Sequence, residues 1–425
     1  MPSKIAKFVS FAKSSGLSNA FVYSLYKLYP KQFSLLEKKI KSTINPNIPV
    51  SKNEYMDMID SVLDYVDWAS FGGSIKPLKN TTNVKTFIWF VPDWTNVWGG
   101  GHYTLFRFAN FFAAQNTRNI IYIYNNQRHL SSRKLQSELD DALPECKLEV
   151  IVDPMLLPEC TAAIASTWQS AFHVKAFPFA KTKFYFMQDY ESLFYPFGTS
   201  SLQANSTYSF GFHGITGGTW LKSRYESHGG AAQSYLFAAD KNIFYPSRSD
   251  NIVRPQVRRV FFYGRPSTER RCFELGMAAL KKISEYYPDI EIIIAGLDLS
   301  HTPPFKATLM GNLPLIETGD LYRSCDIGIA FSATNLSYLP VELMASGVPV
   351  ISNNGPQVEW LLTEKNTCLV DPAPLAVFDA FKRLYDSYDI RQQLALDGLK
   401  TMSEISWDNE MSKIYSYVEK IVGIC

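Results

Sequence analysis

Two arginines stand five residues apart in "YGRPSTERR" (263–271). Arg265 follows Gly264, which closes an apolar run read as a strand. Arg270 falls where a helix is expected to open. A cation at a helix N-terminus is electrostatically unfavourable unless an anion sits there. Two guanidiniums so placed can clamp phosphate oxygens by paired hydrogen bonds; on the residues alone, two surface arginines on a turn fit as well. A second stretch, "FSATNLSYLPVELMASGVPVIS" (331–352), reads as strand, loop, helix and strand. Ser337, Tyr338 and Leu339 lie where the loop becomes the helix. Pro340 suits the first turn, Gly347 the position after the last, and Pro349 prevents continuation. The free N–H groups of that helix start can bind a diphosphate. Glu342 is expected in the first turn, where it either accepts hydrogen bonds from sugar hydroxyls or merely complements the helix dipole.

The first half offers further candidates. Gly99, Gly100 and Gly101 lie between a strand and a helix and allow close backbone approach to a ligand, or simply a tight turn. His102 follows them, as a ligand contact or a capping residue. Gln188 and Asp189 end the strand "KFYFMQDY", where residues of a reacting site or a satisfied core pair would fit. "HGITGG" (213–218) reads as a loop. No D-x-D sequence occurs, so arginines and a helix dipole, with no metal, are expected to balance the diphosphate charge. No Ser-His-Asp arrangement and no motif-placed pair of acids is evident.

These residues need a scaffold. Apolar runs such as "KTFIWFV", "NIIYIY", "LEVIVD" and "TAAIASTW" alternate with helical stretches, and a second series ("RVFFYGR", "EIIIAG", "DIGIAF", "VPVIS", "CLVD") follows a Pro- and Ser-rich break near 244–257. That alternation predicts βαβ units and parallel sheets covered on both faces. The expected organisation is a basic helical extension and linker (1–80), a first Rossmann-like domain (81–250), a second (251–405) and a C-terminal helix (406–425) crossing back to the first. Ligands in such sheets sit beyond the carboxyl ends of the strands.

Bulk properties narrow the classes. The 425 residues are 46% apolar, enough for sizeable cores, and the net charge of +2 argues against a nucleic-acid partner. The six cysteines form no C-x-x-C, which favours a reducing compartment. No run long enough to span a bilayer and no signal peptide is read, so a cytoplasmic location is expected. Residues 1–41 carry eight lysines and one acid, with aromatic and aliphatic residues interleaved. That pattern fits a basic amphipathic helix on an anionic membrane surface, here the inner face of the cytoplasmic membrane, or a solvated extension. The composition is compatible with a homo-oligomer.

The combination "GRPSTER … DIGIAF … SYLPVELMASGVPVIS" resembles the C-terminal half of retaining glycosyltransferases of the family 4 type, which have the GT-B fold. The resemblance implies that Arg265 and Arg270 hold the donor diphosphate and that Glu342, the second acid of an E-x(7)-E motif, holds the ribose. Thr334 stands where that motif has its first acid. "FYFMQDYESLFYPFGT" and "TYSFGFHGITGGTWL" in the first half resemble the rhamnosyltransferase subgroup typified by WsaF. The implied activity is transfer of a sugar, L-rhamnose from dTDP-L-rhamnose, to a surface polysaccharide or lipid-linked glycan acceptor, with retention and with no cofactor beyond the nucleotide-sugar substrate. The competing expectations are a non-catalytic GT-B scaffold of a polysaccharide assembly complex and a GT-B sugar-nucleotide epimerase.

Overall fold

A computed structural model describes residues 84–143, 145–247, 252–297 and 302–423. The expected basic helices and membrane-facing surface of the first 80 residues lie outside these. Among the described residues two sheets form. The first contains β1 (Thr86–Val91), β2 (Arg118–Ile123), β3 (Glu149–Ile151), β4 (Cys160–Ala165), β5 (Ala180–Met187), β6 (His213–Gly217) and β7 (Ala232–Tyr235), in the order β3-β2-β1-β4-β5-β6-β7. The second contains β8 (Arg259–Tyr263), β9 (Glu291–Ala295), β10 (Thr308–Gly311), β11 (Ile327–Ile329), β12 (Val350–Asn353) and β13 (Cys368–Val370), in the order β10-β9-β8-β11-β12-β13. All pairings in both are parallel, in registers such as Ile88↔Ile120 and Phe261↔Ile293.

The strands are what parallel sheets require. All six residues of β1, TFIWFV, are buried, because helices cover both faces and no position alternates toward water. "HGITG", expected as a loop, is the strand β6: His213 pairs with Phe184 and Thr216 with Met187. Its two glycines weaken the apolar signal, but its position inside the sheet supplies the pairing that propensity does not.

Each sheet reverses its direction of growth once, between β1 and β4 and between β8 and β11. At such a point successive loops diverge and leave a crevice at the carboxyl ends. The two carboxyl edges face each other: Asn335, after β11, donates from Nδ2 to the backbone oxygens of Gln188, after β5, and Gly217, in β6, each at 2.9 Å. A continuous apolar cluster runs from Phe87 and Trp89 through Phe237 and Leu336 to Val341 and Val358, so the two lobes share a seam rather than a water layer.

The helix Trp407–Val422 packs back on the first lobe. Met411, Ile414, Val418 and Val422 are its buried stripe, each burial favouring folding by roughly 1.5–3 kcal/mol. Trp407 meets Phe108 edge-on at 6.2 Å and Tyr415 meets Phe112 at 5.0 Å. Lys85 pairs with Glu419 at 2.5 Å, and Glu410 accepts the Leu236 amide at 2.8 Å. The chain therefore passes between lobes twice, and Lys241 Nζ donates to the Ser403 carbonyl at 3.2 Å, joining the two crossings. Among the described residues no helix is long and apolar enough to cross a membrane.

Candidate active site

The loop after β11 is the centre of the site, and it is held from several directions. The Ser332 amide donates to Asn353 Oδ1 (2.8 Å), Asn353 Nδ2 donates to the Ser332 carbonyl (3.0 Å), and the Ser337 amide donates to Ser332 Oγ (3.1 Å). Residues fixed this way keep the start of the Tyr338–Ala345 helix in one place. Ser337 is its N-cap, with no side-chain cap on the helical amides. Glu342 is not in the first turn as expected: the helix begins at Tyr338, two residues before Pro340, so Glu342 is its fifth residue. The Tyr322 hydroxyl donates to Glu342 Oε2 at 3.3 Å. Burial pushes the Glu342 carboxyl up to about 7, and the Tyr322 hydrogen bond opposes that rise.

The arginines sit on the turn after β8. Arg265 is exposed and its carbonyl accepts the Thr268 amide at 3.0 Å. Arg270 lies in a 3-10 turn, Glu269–Arg271, and the α-helix opens only at Phe273, because Cys272 adopts a left-handed conformation between them. The anion demanded by that clustered positive charge is present, and it comes from the other lobe. Asp189 Oδ2 lies 3.3 Å from Arg270 Nε and 3.8 Å from Arg271 Nη2. Burial raises the Asp189 pKa, while Arg271, Arg270, the Thr334 side chain and the Tyr190 amide all oppose the rise. Arg270 also lies over the Phe194 ring at 4.0 Å, a cation–π contact across the seam.

Arg271 is the residue that sequence reading missed. Its Nη1 donates to Ser332 Oγ at 2.8 Å and to the Asn335 carbonyl at 3.2 Å. Burial lowers its pKa to about 10, Arg270 and Arg265 add to the fall, and Asp189 opposes it. Arg271 thus stands between the other two arginines of its turn and the loop that leads into an uncapped helix start. The doubled "RR" was the available signal, but only the tertiary contact with the 332–335 loop distinguishes the second arginine. Asn335 and Trp360 were also missed. Trp360 Nε1 donates to Asn335 Oδ1 at 3.2 Å, and the Trp360 ring meets Phe237 edge-on at 5.2 Å.

The other expected residues divide. Gln188 joins the site: its Nε2 donates to the Gly101 carbonyl at 2.7 Å, and its Oε1 is buried without a hydrogen-bond partner. Gly100 faces the Tyr338 ring, which a Cβ would meet at 3.4 Å. Tyr338 stacks on Phe237 at 4.4 Å and fills the seam; Leu339 packs against the same core. Gly264 is explained by packing, since a Cβ there would lie 2.8 Å from Ile294. His102 is turned to its own loop, with Nε2 3.3 Å from the Pro92 carbonyl and its ring between Trp94 and Phe106. Burial lowers its pKa. Glu191, near Asp189, accepts hydrogen bonds from the Trp168 amide and the Tyr185 hydroxyl. Burial, reinforced by the Asp189 charge, raises it to about 8.

Glu342 makes stability depend on pH. Its carboxyl, with an ordinary value of 4.5, is raised to about 7 in the fold. Between those values the folded chain keeps a proton that the unfolded chain has released, so stability falls as pH rises from about 4.5 to 7. Glu342→Gln is expected to remove this part of the slope and to gain on the wild type in urea denaturation at pH 8 relative to pH 5. An unchanged difference between the two pH values would mean the carboxyl titrates normally.

Two facing doubly wound lobes, with cations and a helix start at their shared crevice, define a GT-B fold. Residues 258–382, most of the second lobe, match the family model described as "WsaF, C-terminal domain". The O-antigen biosynthesis protein RfbC of Myxococcus xanthus is 35% identical over 353 residues, 80% of this chain. The chain spans only 27% of the length of that relative. Among solved structures, Anabaena HepE in complex with UDP-glucose matches with a TM-score of 0.59 at 14% identity, over 80% of this chain and 100% of its own. A Rickettsia africae glycosyltransferase matches with 0.57 at 14% identity, over 80% and 99%. At that identity the likeness concerns the fold.

Proposed function

We propose that this chain is a glycosyltransferase of polysaccharide biosynthesis. It takes a sugar from a nucleotide-diphosphate donor held by the second lobe and delivers it to a glycan acceptor, growing or lipid-linked, held by the first. The observation that carries this reading is that Arg271 is bonded to Ser332 Oγ and the Asn335 carbonyl just before the Tyr338–Ala345 helix, with Arg270 beside it at Asp189 and Arg265 on the same turn, a concentration of positive charge suited to a leaving diphosphate. The RfbC relative and the UDP-glucose complex of HepE support it. Arg265 and Arg270 bind the diphosphate, and Glu342 accepts the ribose hydroxyls. Gln188 Oε1, buried and unpaired, is an acceptor suited to a sugar hydroxyl. The donor sugar is L-rhamnose and the nucleotide dTDP, on the strength of the motif resemblance, with retention and without a metal. In that chemistry the glycosidic bond to the diphosphate breaks as the acceptor oxygen attacks the same face, and the departing phosphate oxygen takes the acceptor's proton.

A panel of dTDP- and UDP-sugars in thermal denaturation tests the reading. A true donor at 100 times its Kd is expected to stabilise the fold by about 2.7 kcal/mol, with dTDP-L-rhamnose giving the largest shift and supporting transfer to a glycan. A shift without transfer favours the scaffold, for which Thr334 in place of an acid is the supporting observation. No shift with any donor overturns the assignment of the site.

A further inference from the structure

The cations expected to hold a diphosphate are, in the structure, already facing a carboxylate from the opposite lobe. Asp189 closes β5 in the first lobe; Arg270 and Arg271 follow β8 in the second. The Asp189 side chain is only 12% exposed and lies within 3.3 Å of one guanidinium and 3.8 Å of the other. Its hold on Arg270 is loose: Arg270 Nε is buried and makes no hydrogen bond despite that proximity. Arg271 meanwhile fixes the loop whose Asn335 binds the backbone of β6 and of Gln188. One cluster thus serves both as the anion site and as part of the joint between lobes.

We propose that Asp189 is a latch that competes with the donor diphosphate for Arg270 and Arg271, so that donor binding releases the ion pair joining the two lobes. This rests on the diphosphate site proposed above. A diphosphate carries more charge and more acceptor oxygens than one carboxylate, and paired guanidinium–phosphate hydrogen bonds are stronger than a contact lacking alignment. Once it is bound, a buried Asp189 has lost its partners and faces like charge, which drives it outward or toward its protonated form. The groups facing Asp189 are Arg270 and Arg271 from the turn after β8, Thr334 from the loop after β11, and Glu191 from its own loop. Glu191 sits on the Trp168 amide and the Tyr185 hydroxyl rather than on the arginines, so it is the control.

The experiment measures binding of inorganic pyrophosphate and of UDP by calorimetry to the wild type, Asp189→Asn and Glu191→Gln at pH 9, above the value of about 8 to which Glu191 is raised, so that both substitutions remove a charge. Asp189→Asn keeps the shape of the side chain and removes its charge. It is expected to bind pyrophosphate about tenfold more tightly. Glu191→Gln is expected to behave as the wild type. Equal pyrophosphate affinity in wild type and Asp189→Asn, or weaker binding in the variant, overturns the latch while leaving the diphosphate site standing. Tightening in Glu191→Gln equal to that in Asp189→Asn overturns it too, since the effect would then be net charge. Absence of binding in all three overturns the diphosphate site itself.

Discussion

Alanine at Arg270 is expected to lower kcat/KM for sugar transfer by about 100- to 1000-fold, the scale seen when one preorganised donor to a developing anion is removed. The leaving diphosphate gains charge as the glycosidic bond breaks, so a fixed guanidinium matters more in the transition state than in the ground state. Arg270 is suited to this because its turn is pinned: the Ala333 amide donates to its carbonyl at 3.0 Å, joining the 3-10 turn to the loop after β11. Arg270→Lys keeps the charge but loses the planar fork, and an intermediate loss is expected. Arg265→Ala should fall in the same direction. The side chain of Arg270 is 30% exposed, so its removal leaves no cavity and thermal unfolding should stay near wild type. Kinetics with the donor found by the nucleotide-sugar panel, paired with a melting curve, check both halves. Near-wild-type turnover in both alanine variants would remove the clamp from the reading.

The second large effect is structural. Asn335 is completely buried and supplies Nδ2 to two carbonyls of the first lobe while its Oδ1 accepts from Trp360. Asn335→Ala leaves the Gln188 and Gly217 carbonyls without this donor in a dry seam. Each such loss costs about 1–3 kcal/mol, so a total near 2–4 kcal/mol is expected. Trp360 keeps its bond to the Gln357 carbonyl at 3.0 Å, which is why its indole adds little. Gly218→Ala attacks the same seam by volume. The added methyl would lie 2.4 Å from the Trp360 ring at a φ of +89°, so overlap and backbone strain combine. Urea unfolding gives the loss directly. A change below about 0.5 kcal/mol for Asn335→Ala would mean that water satisfies those carbonyls and that the seam is wet.

What could be read from residues alone follows physical lines. Long apolar runs such as TFIWFV and EIIIA announce buried parallel strands, since nothing but a covered sheet accommodates them. AQSY in β7, TLMG in β10 and HGITG in β6 carry little such signal; pairing with neighbours makes them strands. Arg265, Arg270 and Glu342 were visible because turn and helix punctuation surrounds them with Gly and Pro. The anion opposite the arginines was not assigned as their partner, although Asp189 itself stood out as a strand end, because sequence spacing says nothing about which loops of two lobes converge. His102 and Tyr338 illustrate the reverse. Their positions suggested ligand contact, yet a histidine beside Pro92 and a tyrosine on Phe237 are absorbed by packing.

The paired crossings limit how the halves can move. A single covalent connection would permit swivelling about the chain as well as bending. Here the stretch after β7 and the stretch before Trp407 run as two adjacent cords, bound to each other by Lys241 and Ser403. Twisting one lobe against the other would stretch that bond, whereas bending about the line through both cords would leave it in place. Two cords tied side by side therefore favour a hinge over a swivel.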